Sequence, residues 1–264
     1  MLDEGVVARL RAAGCVFAED EARLIGATAR TAAEAETMVV RRVAGEPLEH
    51  VLGWAEFAGL RVAVDPGVFV PRHRSELLVD LARRRVRPGA VVVDLCCGTG
   101  ALGLAVVRGT DGVELHAADV DPAAVACARR NVEPAGHVHE GDLYSALPPQ
   151  LRGHVGVLLA SPPYVPTAAI ALMPPEARDH EPRTALDGGG DGLELVRRIA
   201  AGAPDWLGGD GVLLIELSAA QAAAAADAVT ATGLVARVHH DDEGEATVVT
   251  GRAGETGSRH LRSG

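Results

Sequence analysis

Residues 155–166 read VGVLLASPPYVP. The apolar run Val155 to Ala160 predicts a buried strand, and it stops at Ser161-Pro162-Pro163-Tyr164. Neither proline has an N–H to donate, so the ladder ends there, and the fixed proline φ makes the turn rigid. Such a turn offers carbonyl acceptors and a short hydroxyl beside one of the two tyrosines of the chain. A planar N–H₂ group can donate to a carbonyl and to the side chain at 161 while Tyr164 packs on its flat face. That holds a nitrogen with its lone pair directed, the kind of positioning that lowers a bimolecular barrier. Ser161, Pro162 and Tyr164 are therefore the candidate catalytic residues.

Three other strand ends carry matching chemistry. Asp94-Leu95-Cys96-Cys97-Gly98-Thr99-Gly100 closes a strand and opens a helix. Its glycines let a ligand approach the backbone, and the helix start presents free N–H groups. The spacing is not that of a dinucleotide fingerprint, and the acid at the strand end disfavours a diphosphate. A cationic or zwitterionic ligand suits it better. Ala118-Asp119-Val120-Asp121 ends the next strand: Asp119 is placed to hold ribose hydroxyls, Val120 lies beside it, and Asp121 reads as a helix N-cap ahead of Pro122. Gly141-Asp142-Leu143 offers a carboxylate to an adenine amino group and an apolar cover for its ring. Cys96 and Cys97 are adjacent, which is not a zinc spacing, so no metal site is expected.

The elements around these turns alternate strand and helix from about residue 74, as a parallel sheet with helices on both faces requires. Strands are expected within 90–95, 113–119, 137–140, 155–160 and 211–217, with helices after 100, 121, 191 and 218. LVARVHH and EATVVTGR read as a closing antiparallel hairpin across DDEGE. Residues 1–52 read as a bundle of three or so helices, with Thr31 as an N-cap and Gly14 as a C-cap. Residues 53–73 read as a β-hairpin connector, LRVAV and VFV joined by Asp65-Pro66-Gly67. The catalytic domain is placed at 74–252, and residues 253–264 are expected to be a disordered tail.

Composition narrows the partners. The chain has 264 residues and a formal net charge of −11, with 25 arginines and no lysine. That balance disfavours a phosphate backbone as partner, and the run ARRRVRP at 82–88 reads as a solvated helix end. Hydrophobic residues make up 48% and aromatics 3%, so the core must be built from Ala, Val and Leu. No apolar stretch is long enough for a membrane span, and the N-terminus shows no signal peptide, so a cytoplasmic monomer is expected.

Taken together, the four strand ends resemble S-adenosylmethionine-dependent methyltransferases with an (Asn/Asp/Ser)-Pro-Pro-(Tyr/Phe/Trp) motif. More narrowly, the chain to about residue 252 resembles the HemK/PrmC family in RVAGEPLEHVLGWAEF, VFVPRHRSELLV, DLCCGTGALGLA, EPRTALDGGGDGL and LLIELSAAQ. The resemblance implies a Rossmann-like class I methyltransferase fold and methylation of the Gln amide in the Gly-Gly-Gln loop of release factors. It implies S-adenosylmethionine as cofactor and S-adenosylhomocysteine as product. It places Cys96, Cys97, Gly98, Thr99 and Gly100 at the methionine end, Asp119 at the ribose, and Asp142 and Leu143 at the adenine, and it counts Asp94, Val120 and Ser161 among the cofactor-binding residues. The acceptor falls at Ser161, Pro162 and Tyr164, and the N-terminal helices become a docking domain. The chain departs from the family in having Ser161 where Asn is usual, Cys96 where Gly is usual, and Pro71-Arg72-His73-Arg74-Ser75-Glu76 for Pro-Arg-Pro-Glu-Thr-Glu. A paralogue acting on a small-molecule amine, amide or hydroxyl is the alternative. A nucleic-acid base methyltransferase and a catalytically silent binding module stand behind it.

Overall fold

The structure, a computed structural model, describes residues 4–133 and 135–254. Four helices come first: α1 (Glu4–Ala12), α2 (Ala18–Thr28), α3 (Ala32–Val43) and α4 (Leu48–Leu52). Thr31 caps α3 as expected, its side chain accepting from Glu34 N. Leu10, Ile25, Val39 and Val51 pack the apolar faces of these helices into one cluster.

The hairpin forms one turn earlier than its sequence suggests. β1 (Trp54–Phe57) pairs with β2 (Leu60–Ala63) across Ala58-Gly59, not across Asp65-Pro66-Gly67. Ala58 and Gly59 both take positive φ, 48° and 72°, the twist that a two-residue hairpin needs. The later turn does form, with Val68 N donating to Asp65 O, but Val68 and Val70 leave it buried and unpaired in any strand. Val68 becomes part of a cavity wall instead, and Val70 N donates to Glu181 Oε1.

The remaining chain folds as expected into alternating units: α5 (Glu76–Arg83), β3 (Val91–Leu95), α6 (Ala101–Val107), β4 (Glu114–Asp119), α7 (Pro122–Val132), β5 (Gly136–Glu140) and β6 (Val155–Ala160). Then come α8 (Pro175–His180), α9 (Glu194–Trp206), β7 (Leu207–Glu216), α10 (Ala222–Thr230), β8 (Leu234–His240) and β9 (Thr247–Ala253). β7 starts directly after α9, four residues before the apolar run that announces it. The strands form one seven-stranded sheet in the order β5-β4-β3-β6-β7-β9-β8. The first five are parallel, and β9 runs antiparallel to both β7 and β8.

This is a Rossmann-like class I methyltransferase fold. β3 and β6 are near-continuous apolar runs because helices cover both faces of the sheet. Val196, Ile199, Trp206 and Val229 pack one face with Leu158 and Leu213, while Leu78, Leu102 and Val106 pack the other with Val157 and Leu214. Apart from Phe57, the largest fully buried side chains are Leu and Ile. No helix among the described residues is long and apolar enough to cross a membrane. The strand order reverses between β3 and β6, and in such sheets ligands bind outside the carboxyl ends at that point. Of the expected tail, residues 255–264 lie outside the described residues, and Ala253 ends β9.

Candidate active site

A cavity of about 480 Å³ opens at that reversal. The strand register pairs Leu95 with Ala118 and Ala160, and Ala160 with Ile215. One residue further along each strand stand Asp119, Cys96, Ser161 and Glu216, a row across the carboxyl ends of β4, β3, β6 and β7. All four line the cavity.

The β3 end is a turn held from below. Asp119 accepts from Gly98 N at 2.8 Å with one carboxylate oxygen and from Asp121 N at 2.9 Å with the other. Asp94, 1% exposed, accepts from Gly103 N at 2.8 Å, which fixes the start of α6 to the strand. Burial pushes Asp94 up to about 7, with the Gly103 N–H pulling it back and the nearby Asp119 charge adding to the rise. Burial also raises Asp119. Cys96 takes φ of +56°, in the left-handed region that glycine favours, so the turn carries a strained residue. Burial holds both thiols, Cys96 and Cys97, far toward the protonated form, so neither is an activated nucleophile.

Of the sequence-predicted residues, Asp94, Cys96, Cys97, Gly98, Thr99, Asp119, Val120, Asp142, Leu143, Ser161, Pro162 and Tyr164 meet at the cavity. Gly100 stands behind the turn instead. Its N–H donates to Cys97 O, and a Cβ there would strike Val132 of α7. Asp142 is not free: Arg198 of α9 donates to its carboxylate at 2.6 Å. Asp121 caps α7 by accepting from Ala123 N, as its sequence context predicts.

The Ser161–Tyr164 turn is braced from two sides. Arg74 Nη2 donates to the Tyr164 hydroxyl at 2.8 Å, and burial raises that phenol. Gln221 Nε2 donates to Tyr164 O at 2.9 Å and to Asp191 O at 3.0 Å. Its Oε1 accepts from the Ser218 hydroxyl at 2.6 Å, so the amide ties the turn to the glycine-rich loop 187–192. Gly192 passes between them with φ of +77°, and a Cβ there would collide with Tyr164 O and Gln221 Nε2. Gly192→Ala is therefore expected to lower turnover at this site by roughly 100-fold through displacement of the turn, and to lower the melting temperature. Steady-state kinetics beside a thermal melt checks this; an active, stable variant would show that the loop does not brace the turn.

The cavity is also lined by residues to which the sequence reading assigns no role. Glu181 and Glu216 are 5% and 2% exposed, and each has an Oε2 that makes no hydrogen bond among the described residues. Arg72 pairs with Glu181 at 2.5 Å, and Arg74 Nε lies 3.6 Å from Glu216 Oε1. Burial raises both carboxyls. The one signal for Glu216 is a charged residue closing the apolar run GVLLIEL, at the strand end where ligands bind. Glu181, Arg72 and Arg74 come from loops whose convergence has no local signature.

Seven acids, Asp94, Asp119, Asp121, Asp142, Glu176, Glu181 and Glu216, thus line a cavity with apolar walls at Leu102, Leu143 and Val165. That donor set fits a ligand with a cationic centre and hydroxyl groups. Comparison with known proteins agrees. The family model "Methyltransferase small domain" matches residues 59–208. The release factor glutamine methyltransferase of Geobacter sulfurreducens is 37% identical over 221 residues, 82% of this chain and 77% of that protein. The one from Deinococcus radiodurans is 36% identical over 227 residues, 83% and 79% of the two chains. The crystal structure of a methyltransferase from Pyrococcus furiosus superposes with a TM-score of 0.55 over 74% of this chain and 90% of that one. At 17% identity, that likeness speaks for the fold alone. With motif, strand-end row and relatives in agreement, this chain belongs to the release factor glutamine methyltransferase family.

Proposed function

We propose that the protein methylates the side-chain amide nitrogen of a Gln in a peptide-chain release factor, at its Gly-Gly-Gln loop, using S-adenosylmethionine. The observation that carries this reading is the row Asp119, Cys96, Ser161, Glu216, which sets a hydroxyl-binding acid and an acceptor-binding turn at two ends of one cavity. When bound, S-adenosylmethionine supplies an electrophilic methyl on a cationic sulfur. Asp119 is the residue to hold its ribose, Asp142 and Leu143 its adenine, and residues 96–99 its methionine end. The acids of the cavity favour the cation over a neutral thioether.

The acceptor nitrogen belongs at the Ser161–Tyr164 turn. Prolines 162 and 163 give that turn carbonyls without N–H groups, so it accepts from an amide rather than donating to it. Tyr164, fixed by Arg74 and Gln221, forms a rigid wall beside it. Orientation and exclusion of water then carry much of the rate.

The N-terminal helices, from Glu4 to Leu52, are the docking element for the protein that carries the Gln. Val16 and Phe17, between α1 and α2, are 83% and 69% exposed, which supports an apolar contact there. Arg42 of α3 pairs with Glu21 and with Glu176 of α8, so these helices also touch the segment that walls the cavity.

Incubation with methyl-labelled S-adenosylmethionine tests the reading. Label is expected on a release factor and absent from its Gly-Gly-Glu variant. Equal labelling of both would defeat the Gln assignment.

A further inference from the structure

Resting on the reaction proposed above, we infer that Glu216 is a catalytic residue: its Oε2 accepts a hydrogen bond from the acceptor amide and takes up the N–H proton during methyl transfer. Nothing in the spacing of the Pro-Pro turn requires this residue. Its place in the sheet does.

β6 and β7 run parallel with Ala160 paired to Ile215, so Ser161 and Glu216 leave adjacent strands side by side. Val212 to Glu216 are all buried, and a carboxylate at the end of such a run is costly unless a partner meets it. The protein meets only half of that need. Oε1 faces the Arg74 guanidinium, whereas Oε2, buried at the cavity, makes no hydrogen bond among the described residues. Glu181 Oε2 is also without a donor, but its carboxylate is already held by Arg72 and by Val70 N on the outer wall. Of the two glutamates, Glu216 shares the strand-end row with Ser161, on the strand next to it.

An amide nitrogen is a poor nucleophile because its lone pair is delocalised into the carbonyl. A carboxylate accepting one N–H returns electron density to nitrogen. In the transfer, the nitrogen lone pair forms the N–C bond while the C–S bonding pair stays on sulfur, leaving a neutral thioether. The positive charge passes to nitrogen and leaves as a proton to Oε2, giving a neutral carboxylic acid, an N-methylated amide and no net charge created. Water takes the proton when product departs. The groups facing Glu216 are Ser75 and Arg74 from the segment before α5 and Ser161 and Tyr164 from the turn after β6. Burial raises its proton affinity, and Ser75, Arg74 and Ser161 restrain the rise, which suits a group that must both lose and regain a proton.

Glu216→Gln tests this in the full chain, with the release factor as acceptor and S-adenosylhomocysteine as the binding probe. kcat is expected to fall about 100-fold, the low end for loss of a general base, while calorimetric affinity for S-adenosylhomocysteine stays within about twofold. The wild-type pH profile of kcat is expected to show an acidic limb that the Gln variant lacks. Glu216→Asp keeps a carboxylate and is expected to recover part of the rate with the limb intact. If the Gln variant does not fold, the wild-type limb and the Asp variant decide alone. Wild-type kcat in the Gln variant, or no acidic limb in the wild type, would overturn the role of Glu216 while leaving Gln methylation standing. A wild-type protein that binds S-adenosylhomocysteine but leaves the release-factor Gln unmodified would overturn both.

Discussion

Asp119→Ala is expected to weaken S-adenosylhomocysteine binding by roughly 100-fold. The Asp119 carboxylate fastens the turn, accepting from Gly98 N and Asp121 N, and in the proposed complex it also holds the ribose hydroxyls. Alanine removes the ribose acceptor and leaves two N–H groups without a partner. Hydrogen bonds to a charged group contribute about 1.5–3 kcal/mol each, so a loss near 3 kcal/mol follows, which is about two decades in Kd. Asp119→Asn keeps one oxygen acceptor and is expected to lose about one decade by the same arithmetic. Calorimetric titration checks both. An Ala variant that binds like the parent would place the ribose elsewhere.

The second large effect is on pH. Asp94 is fully buried, and its carboxyl is raised from 3.8 to about 7. The unfolded chain ionises this group near pH 4, whereas the folded chain keeps it protonated until about pH 7. Between those values the native state binds the extra proton, so stability falls as pH rises and levels off above 7. A shift of about three units corresponds to an upper bound near 4 kcal/mol. Asp94→Asn is expected to flatten the thermal-stability profile between pH 4 and 7. The same titration discriminates ligands. Above pH 7 the ionised Asp94 favours a sulfonium cation, so the preference for S-adenosylmethionine over S-adenosylhomocysteine is expected to grow about fivefold from pH 6 to 8, the effect of a one-unit coupling on a group that titrates near 7. The Asn variant should lose that trend. A preference that is flat with pH in the parent would separate Asp94 from the cation.

How much of this was legible in the sequence follows from what is local. The Val155–Ala160 strand, the Asp121-Pro122 cap and the Thr31 cap depend on residues a few positions apart, and all three form as their patterns require. The hairpin misled because Asp65-Pro66-Gly67 is the stronger turn signal. Ala58-Gly59 turns only because the paired strands and the packed Phe57 hold Ala58 at positive φ. In the site, the row along the carboxyl ends was largely readable, since strand ends announce themselves. Gly100 misled because a turn glycine serves either a ligand or a neighbouring helix, and here it makes room for Val132. Arg74, Glu181, Arg198 and Gln221 reach the site from elements far apart in the chain, and their polar side chains look like ordinary surface until the fold closes.

The most direct measurement is a structure of the protein with S-adenosylhomocysteine and a Gly-Gly-Gln peptide bound. The account predicts the ribose on Asp119 and the Gln amide nitrogen between Ser161 and Glu216, facing the sulfur. A peptide amide held away from the Ser161–Tyr164 turn, or a cofactor product lying off the Asp119–Cys96 end of the row, would contradict it.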